Sequence, residues 1–71
     1  MTVDKADIAI GKRVRKLRKA QRLTQIQLAD IAGVRSNTIA RIEQGKQHIS
    51  EPTIKKLTKA LGVSSPDILG Y

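Results

Sequence analysis

The chain has no cysteine, no tryptophan and no phenylalanine, and its one aromatic residue is Tyr71. Without cysteine there is neither a disulfide framework nor a thiolate zinc site, so zinc fingers are excluded and stability rests on packing or on assembly with another chain. Without aromatic platforms, the sheet folds that stack single-stranded bases on two or more rings are excluded as well. Long apolar runs are missing: residues 1–10 carry Asp4, Lys5 and Asp7 among short apolar side chains, and nothing reaches the length of a signal peptide or a membrane span. A soluble, cytoplasmic protein is expected. Acids are scarce, with 6 Asp and Glu against 14 Lys and Arg, which leaves a net charge of +8. Such a chain attracts polyanions, nucleic acid first among them, and repels itself unless a partner neutralises it. What is present suffices for a single domain spanning 1–71: 71 residues at 39% hydrophobic content make one modest core and exclude a multi-domain enzyme.

The positive charge is unevenly placed. Lys12, Arg13, Arg15, Lys16, Arg18, Lys19 and Arg22 follow one another with no acid among them. Lys46, Lys55, Lys56 and Lys59, offset by Glu51 and Asp67, supply the rest, whereas Arg35 and Arg41 are balanced by Asp30 and Glu43 in the stretch between. Two basic segments around a neutral one suit backbone-grasping flanks about a more selective centre.

Apolar spacing divides the chain into helices. Ile10, Val14 and Leu17 recur at i, i+4, i+7 and predict a first helix over Asp7–Gln21. Thr24 followed by Gln27 forms a capping-box pattern ahead of Leu28, Ile31 and Ala32, and Gly33 ends this second helix. Ser36 is expected to cap a short third helix carrying Ile39 and Ile42, closed near Gly45. After a loop, Thr53 or Glu51 starts a fourth with Ile54, Leu57, Ala60 and Leu61, stopped by Gly62, and Ser64 with Asp67 caps a last turn through Leu69. No run alternates in the manner of a strand, and there is no internal repeat, so the expected class is all-α with five helices.

The stretch from Thr24 to Glu43 has the form of two helices meeting steeply. Ala29 permits close approach, Gly33 permits a positive φ in the turn, and Leu28, Ile39 and Ile42 fill the crossing. That is a helix-turn-helix pattern over about 24–44. Through Gln25, Leu28, Ala29, Gly33, Ile39, Ile42, the run Glu43-Gln44-Gly45-Lys46 and the closing Ala60-Leu61-Gly62-Val63-Ser64, the chain resembles the XRE family of lambdoid phage repressors and Cro proteins over nearly its whole length.

The resemblance implies a compact lambda-repressor-like domain whose third helix enters the major groove of double-stranded DNA. Arg35, Ser36, Asn37 and Arg41 are then the base-reading candidates, with Thr38 and Ala40 secondary. Asn suits the N6/N7 edge of adenine and Arg the O6/N7 edge of guanine. Gln25, at the first turn of the second helix, and Lys46, just beyond the third, are the expected phosphate contacts, with Arg22 a further one. The resemblance also implies an ion pair between Arg18 and Glu43 that ties the first helix to the end of the third. Its expected role is structural.

Other residues have plainer readings. The basic first helix is read as core-facing on its apolar stripe and solvated elsewhere, with no aromatic residue to enter a bilayer. His48 is expected to be a solvated loop residue and not a metal ligand, and nothing resembles a catalytic triad, so neither enzyme activity nor a cofactor is expected. The loop KQHISEP lacks the additional basic residues with which some relatives approach DNA, and MTVDKAD is too acidic to act as a grasping arm. A homodimer is expected, because one reading helix reaches only a few base pairs. With no further domain following Tyr71, the expected surface is the fourth-to-fifth helix region, with Val63, Ile68, Leu69 and Tyr71. The function these features suggest is a transcriptional regulator, most often a repressor, on a pseudo-palindromic operator. The alternative is a protein-interaction module, such as the DNA-binding antitoxin of a toxin pair or a coactivator-like adaptor.

Overall fold

A computed structural model describes residues 4–71, so the first three residues of the acidic N-terminal stretch lie outside the described residues. Five helices follow in order: α1 Lys5–Ala20, α2 Gln25–Ala32, α3 Ser36–Glu43, α4 Glu51–Leu61 and α5 Ser65–Leu69, with no strand among the described residues.

Side-chain caps define three of the five helix starts. Helix α1 starts at Lys5, earlier than its apolar stripe, because Asp4 accepts from the Asp7 N–H (2.9 Å) and Asp7 accepts in return from the Asp4 N–H (3.3 Å). The same reciprocal box closes the start of α2 through Thr24 and Gln27, and that of α5 through Ser64 and Asp67. Helix α3 differs from expectation. Arg35 occupies the cap position without a side-chain hydrogen bond, and Ser36 is the first helical residue instead of the cap. Helix α4 begins at Glu51 after Ser50, with Pro52 in its first turn, where neither the missing proline N–H nor the acid is a cost. At the turn between α2 and α3, Gly33 has φ 73°, a left-handed conformation that a side chain would strain.

The core gathers where α1 packs on α3 and α5 while α2 packs on α3 and α4. Val14, Leu28, Ile39, Ile42, Leu57 and Ile68 are fully buried at its centre, with Ile10, Ala29, Ala32, Ile49 and Leu61 around them. Leu17, Leu23 and Ile54 pack against this cluster but remain partly exposed. Two apolar side chains bear on the expected surfaces. Ile31 stands in solvent, because in the short α2 the inner positions are already filled by Leu28, Ala29 and Ala32. Ile68 is wholly within the core and is not available to an interface, whereas Val63 and Leu69 are half-buried and Tyr71 is exposed.

Gly11 sets how closely α1 approaches α3. A Cβ at this position would overlap the Ile42 carbonyl oxygen and lie 3.1 Å from its carbonyl carbon. Backbone meets backbone there, and only glycine fits.

Candidate nucleic-acid interface

Helix α3 is part buried and part exposed. Ile39, Ile42 and Glu43 are buried, while Ser36, Asn37 and Arg41, together with Arg35 just before them, are exposed. Asn37 and Arg41 are one helical turn apart and share a face. Thr38 and Ala40 are half-buried at its margins. Asn37 and Arg41 thus share an exposed side of α3, while Arg35 and Ser36 are exposed at its N-terminal end, in line along the helix with the buried Ile39, Ile42 and Glu43. The side chains available there are an amide, a hydroxyl and two guanidinium forks, and no carboxylate is among them.

The residues read as phosphate contacts surround this surface in different settings. Lys46 is exposed just after α3, and its N–H donates to the Arg41 carbonyl (2.9 Å), which keeps the chain tight as it leaves the helix. Arg22 is exposed in the link between α1 and α2 and holds a left-handed backbone at φ 58°. Its neighbour Leu23 returns an N–H to the Arg18 carbonyl (3.1 Å), closing α1 in the manner usually given to glycine. Gln25 is the first residue of α2 and half-buried, and its Nε2 donates to Glu43 Oε1 (3.2 Å).

That contact joins Gln25 to the ion pair at the end of α3. Arg18 Nε donates to Glu43 Oε2 (2.6 Å) and Arg18 Nη2 to Glu43 Oε1 (2.9 Å), a two-pronged pair, while Arg18 Nη1 donates to the Leu23 carbonyl (2.7 Å). Both side chains are nearly withdrawn from solvent. Hydrogen bonding to Glu43, reinforced by the opposite charge, holds the Arg18 guanidinium above its ordinary pKa against the cost of burial. No buried side-chain nitrogen or oxygen among the described residues is left without a partner. One network therefore fixes α1, the α1–α2 link, the start of α2 and the end of α3 relative to one another. From the sequence alone Gln25 reads as a phosphate contact or as an exposed residue at the start of a helix. Its link to Glu43, 18 positions away, has no local signal.

His48 also departs from its expected isolation. Its ring is largely exposed, yet Nδ1 lies 3.1 Å from Oδ1 of the buried Asp7, bringing the loop after α3 against the start of α1. Burial pushes the Asp7 carboxyl up, but the Asp4 N–H and His48 outweigh it and hold its pKa below the usual carboxylate value.

On α1, Lys12, Arg15, Lys16 and Lys19 are exposed at i, i+3, i+4, i+7 and form a basic stripe opposite the buried side that carries Ile10, Gly11, Val14 and Arg18. Among the described residues no helix is long and apolar enough to cross a membrane, and no three His, Cys, Asp or Glu side chains converge as metal ligands would.

Comparison with known proteins bears on this arrangement. The Helix-turn-helix family model matches residues 14–68. The chain is 45% identical over 56 residues to the HTH-type transcriptional repressor RghR of Bacillus subtilis, covering 78% of this chain and 42% of that protein. It is 38% identical over 61 residues to the antitoxin PezA of Streptococcus pneumoniae serotype 4, covering 86% of this chain and 39% of that protein. Its fold is similar to the crystal structure of the restriction-modification controller protein C.AhdI from Aeromonas hydrophila. There the TM-score is 0.85 at 31% identity, with 87% of this chain and 94% of that chain covered. The chain spans well under half the length of the first curated relatives it matches, 39% of one and 42% of another.

Proposed function

As this chain belongs to the XRE-type helix-turn-helix family matched over residues 14–68, we propose that it is a sequence-specific double-stranded DNA-binding regulator of transcription, acting as a repressor by occupying a two-fold operator as a dimer. The observation that carries this reading is the exposure of Arg35 and Ser36 at the start of α3 and of Asn37 and Arg41 on its outer side, while Ile39, Ile42 and Glu43 are buried. Laid in the major groove, the helix offers Asn37 to an adenine edge, Arg41 or Arg35 to guanine and Ser36 to either partner. Gln25 and the N–H groups at the start of α2 meet phosphate, as do Lys46 and Arg22, and these contacts set register without reading sequence. The α1 stripe adds long-range attraction that speeds encounter and makes affinity depend on salt. Repression by occupancy needs no catalytic step.

A dimer follows from the small reach of one reading helix, and the half-buried Val63 and Leu69 with exposed Tyr71 are the apolar side chains open to such contact near the C-terminal end. The likeness to C.AhdI, which is covered over 94% of its chain, favours a controller-type role. The likeness to PezA favours an antitoxin's DNA-binding part as the second reading.

The test is a set of duplex titrations across salt concentrations. Asn37→Ala and Arg41→Ala are expected to lose about 1–3 kcal/mol each at particular base pairs and to relax preference there. Lys46→Ala is expected to weaken all duplexes alike and to reduce the salt slope by about 1. Equal behaviour of all three variants would reduce the protein to a nonspecific basic binder. Undiminished DNA binding in all three would move the function to protein contact.

A further inference from the structure

Helices α2 and α4 leave a groove between them. It has a volume of about 450 Å³ and is lined by Ile31, Ala32, Lys56, Lys59 and Ala60. Two alanines make a shallow apolar floor, Ile31 forms a wall and is 58% exposed, and two lysines one turn apart on α4 form the opposite rim. We propose that this groove docks an acidic amphipathic helix of a protein partner, with an apolar side chain seated against Ile31 and the alanines and flanking carboxylates paired to Lys56 and Lys59.

Three features select this occupant. A phosphodiester backbone would satisfy the lysines but offers nothing to cover Ile31, and none of the individual base or phosphate contacts proposed above lines the groove. A second copy of the chain, itself at +8 and presenting the same lysine rim, would be repelled across a two-fold contact here. A carboxylate-flanked apolar side chain complements both the floor and the rim, and a helix presenting i, i+3, i+4, i+7 anchors is the usual occupant of such a groove. Because the groove lies at the C-terminal half of α2, whereas the DNA-facing residue Gln25 is at its start, such a partner can join the protein while the reading face is occupied.

The experiment measures anisotropy of a labelled peptide of about 15 residues, long enough for a bound helix, with leucines at helical spacing and glutamates elsewhere. A control peptide carries serine for each leucine. The leucine peptide is expected to bind, and Ile31→Ser to weaken it about tenfold. Ile26→Ser, at an equally solvent-facing isoleucine of α2 that does not line the groove, is expected to leave binding unchanged. Lys56→Gln with Lys59→Gln is expected to weaken binding and flatten its salt dependence. Circular dichroism and duplex affinity of Ile31→Ser are expected to match the parent. The proposal is overturned if no leucine peptide binds, if the serine control binds as well, or if Ile26→Ser acts like Ile31→Ser. Self-association abolished by Ile31→Ser would assign the groove to a second copy instead, and loss of duplex affinity in the lysine variant alone would assign the rim to DNA.

Discussion

Gly11 of α1 lies directly against the Ile42 carbonyl of α3, so closely that a single methyl group on Gly11 would overlap that oxygen. The position of α3 against α1 is therefore set by the absence of a side chain. Farther along the same crossing, Arg18 and Glu43 lock the two helices by a two-pronged pair.

Gly11→Ala tests the first contact. In an exposed helix this substitution would gain about 1 kcal/mol of helix propensity. Here the obstacle is backbone, which cannot swing aside, and overpacking commonly costs about 1–3 kcal/mol. The expected result is a net loss of stability, about 2 kcal/mol, with weaker duplex binding because α3 is displaced. A thermal melt at or above the parent's midpoint would show that the crossing is looser than described.

Arg18→Ala strands Glu43 in the interior. Removing one partner of a buried pair costs about 3–5 kcal/mol, much of the stability of a small domain. Replacing both residues, Arg18→Met with Glu43→Leu, is expected to recover most of that loss, because neither charge is then left unpaired. A double-mutant cycle by thermal or urea unfolding reads the difference. Unchanged stability in Arg18→Ala, with only DNA affinity reduced, would remove the pair from the fold.

Arg22 combines a turn conformation with a proposed phosphate contact. Its φ of 58° is a conformation that glycine adopts without strain, so Arg22→Gly is expected to raise stability by up to about 1 kcal/mol. The same substitution removes a cation near the start of α2, and the salt slope of duplex binding is expected to fall by about 1 if Arg22 meets phosphate. Gains in stability with an unchanged slope would confine Arg22 to the turn.

Asp7 makes stability depend on acid pH. Its folded pKa is held below the ordinary 3.8, so its contribution is present in full above that value and is lost as pH falls through the depressed one. Asp7→Asn is expected to melt lower than the parent at neutral pH, with the gap narrowing below the usual carboxylate range. Parallel melting curves at every pH would exclude the carboxylate as the source.

How much of this was legible in the sequence follows from how far each signal reaches. Thr24 with Gln27, Ser64 with Asp67, and Gly33 act within a few residues of themselves, and the second helix, the last helix and the turn between α2 and α3 are where those signals place them. Asp4 with Asp7 has the same spacing, yet the apolar stripe beginning at Ile10 drew the start of α1 inward. The start of α3 was misplaced because a serine resembles a cap, whereas Arg35 holds that position through backbone conformation alone. Ile68 looked available for an interface because nothing near it in sequence reveals that α1 and α4 enclose it. Contacts between distant positions are the least legible. His48 reaches Asp7 across 41 positions, and Gly11 meets Ile42 through backbone, which leaves no pattern of side-chain types to read.

The central claim is that the exposed start of α3 reads base pairs and that two copies do so together. Selection from random duplexes tests it most directly, because one recovered consensus reports specificity, spacing and symmetry at once. The account predicts an inverted repeat whose half-site centres are about 34 Å apart, one helical turn, with Asn37→Ala relaxing the same base position in both halves. Recovery of duplexes without any shared sequence, or of a consensus that Asn37→Ala and Arg41→Ala leave unaltered, would contradict it.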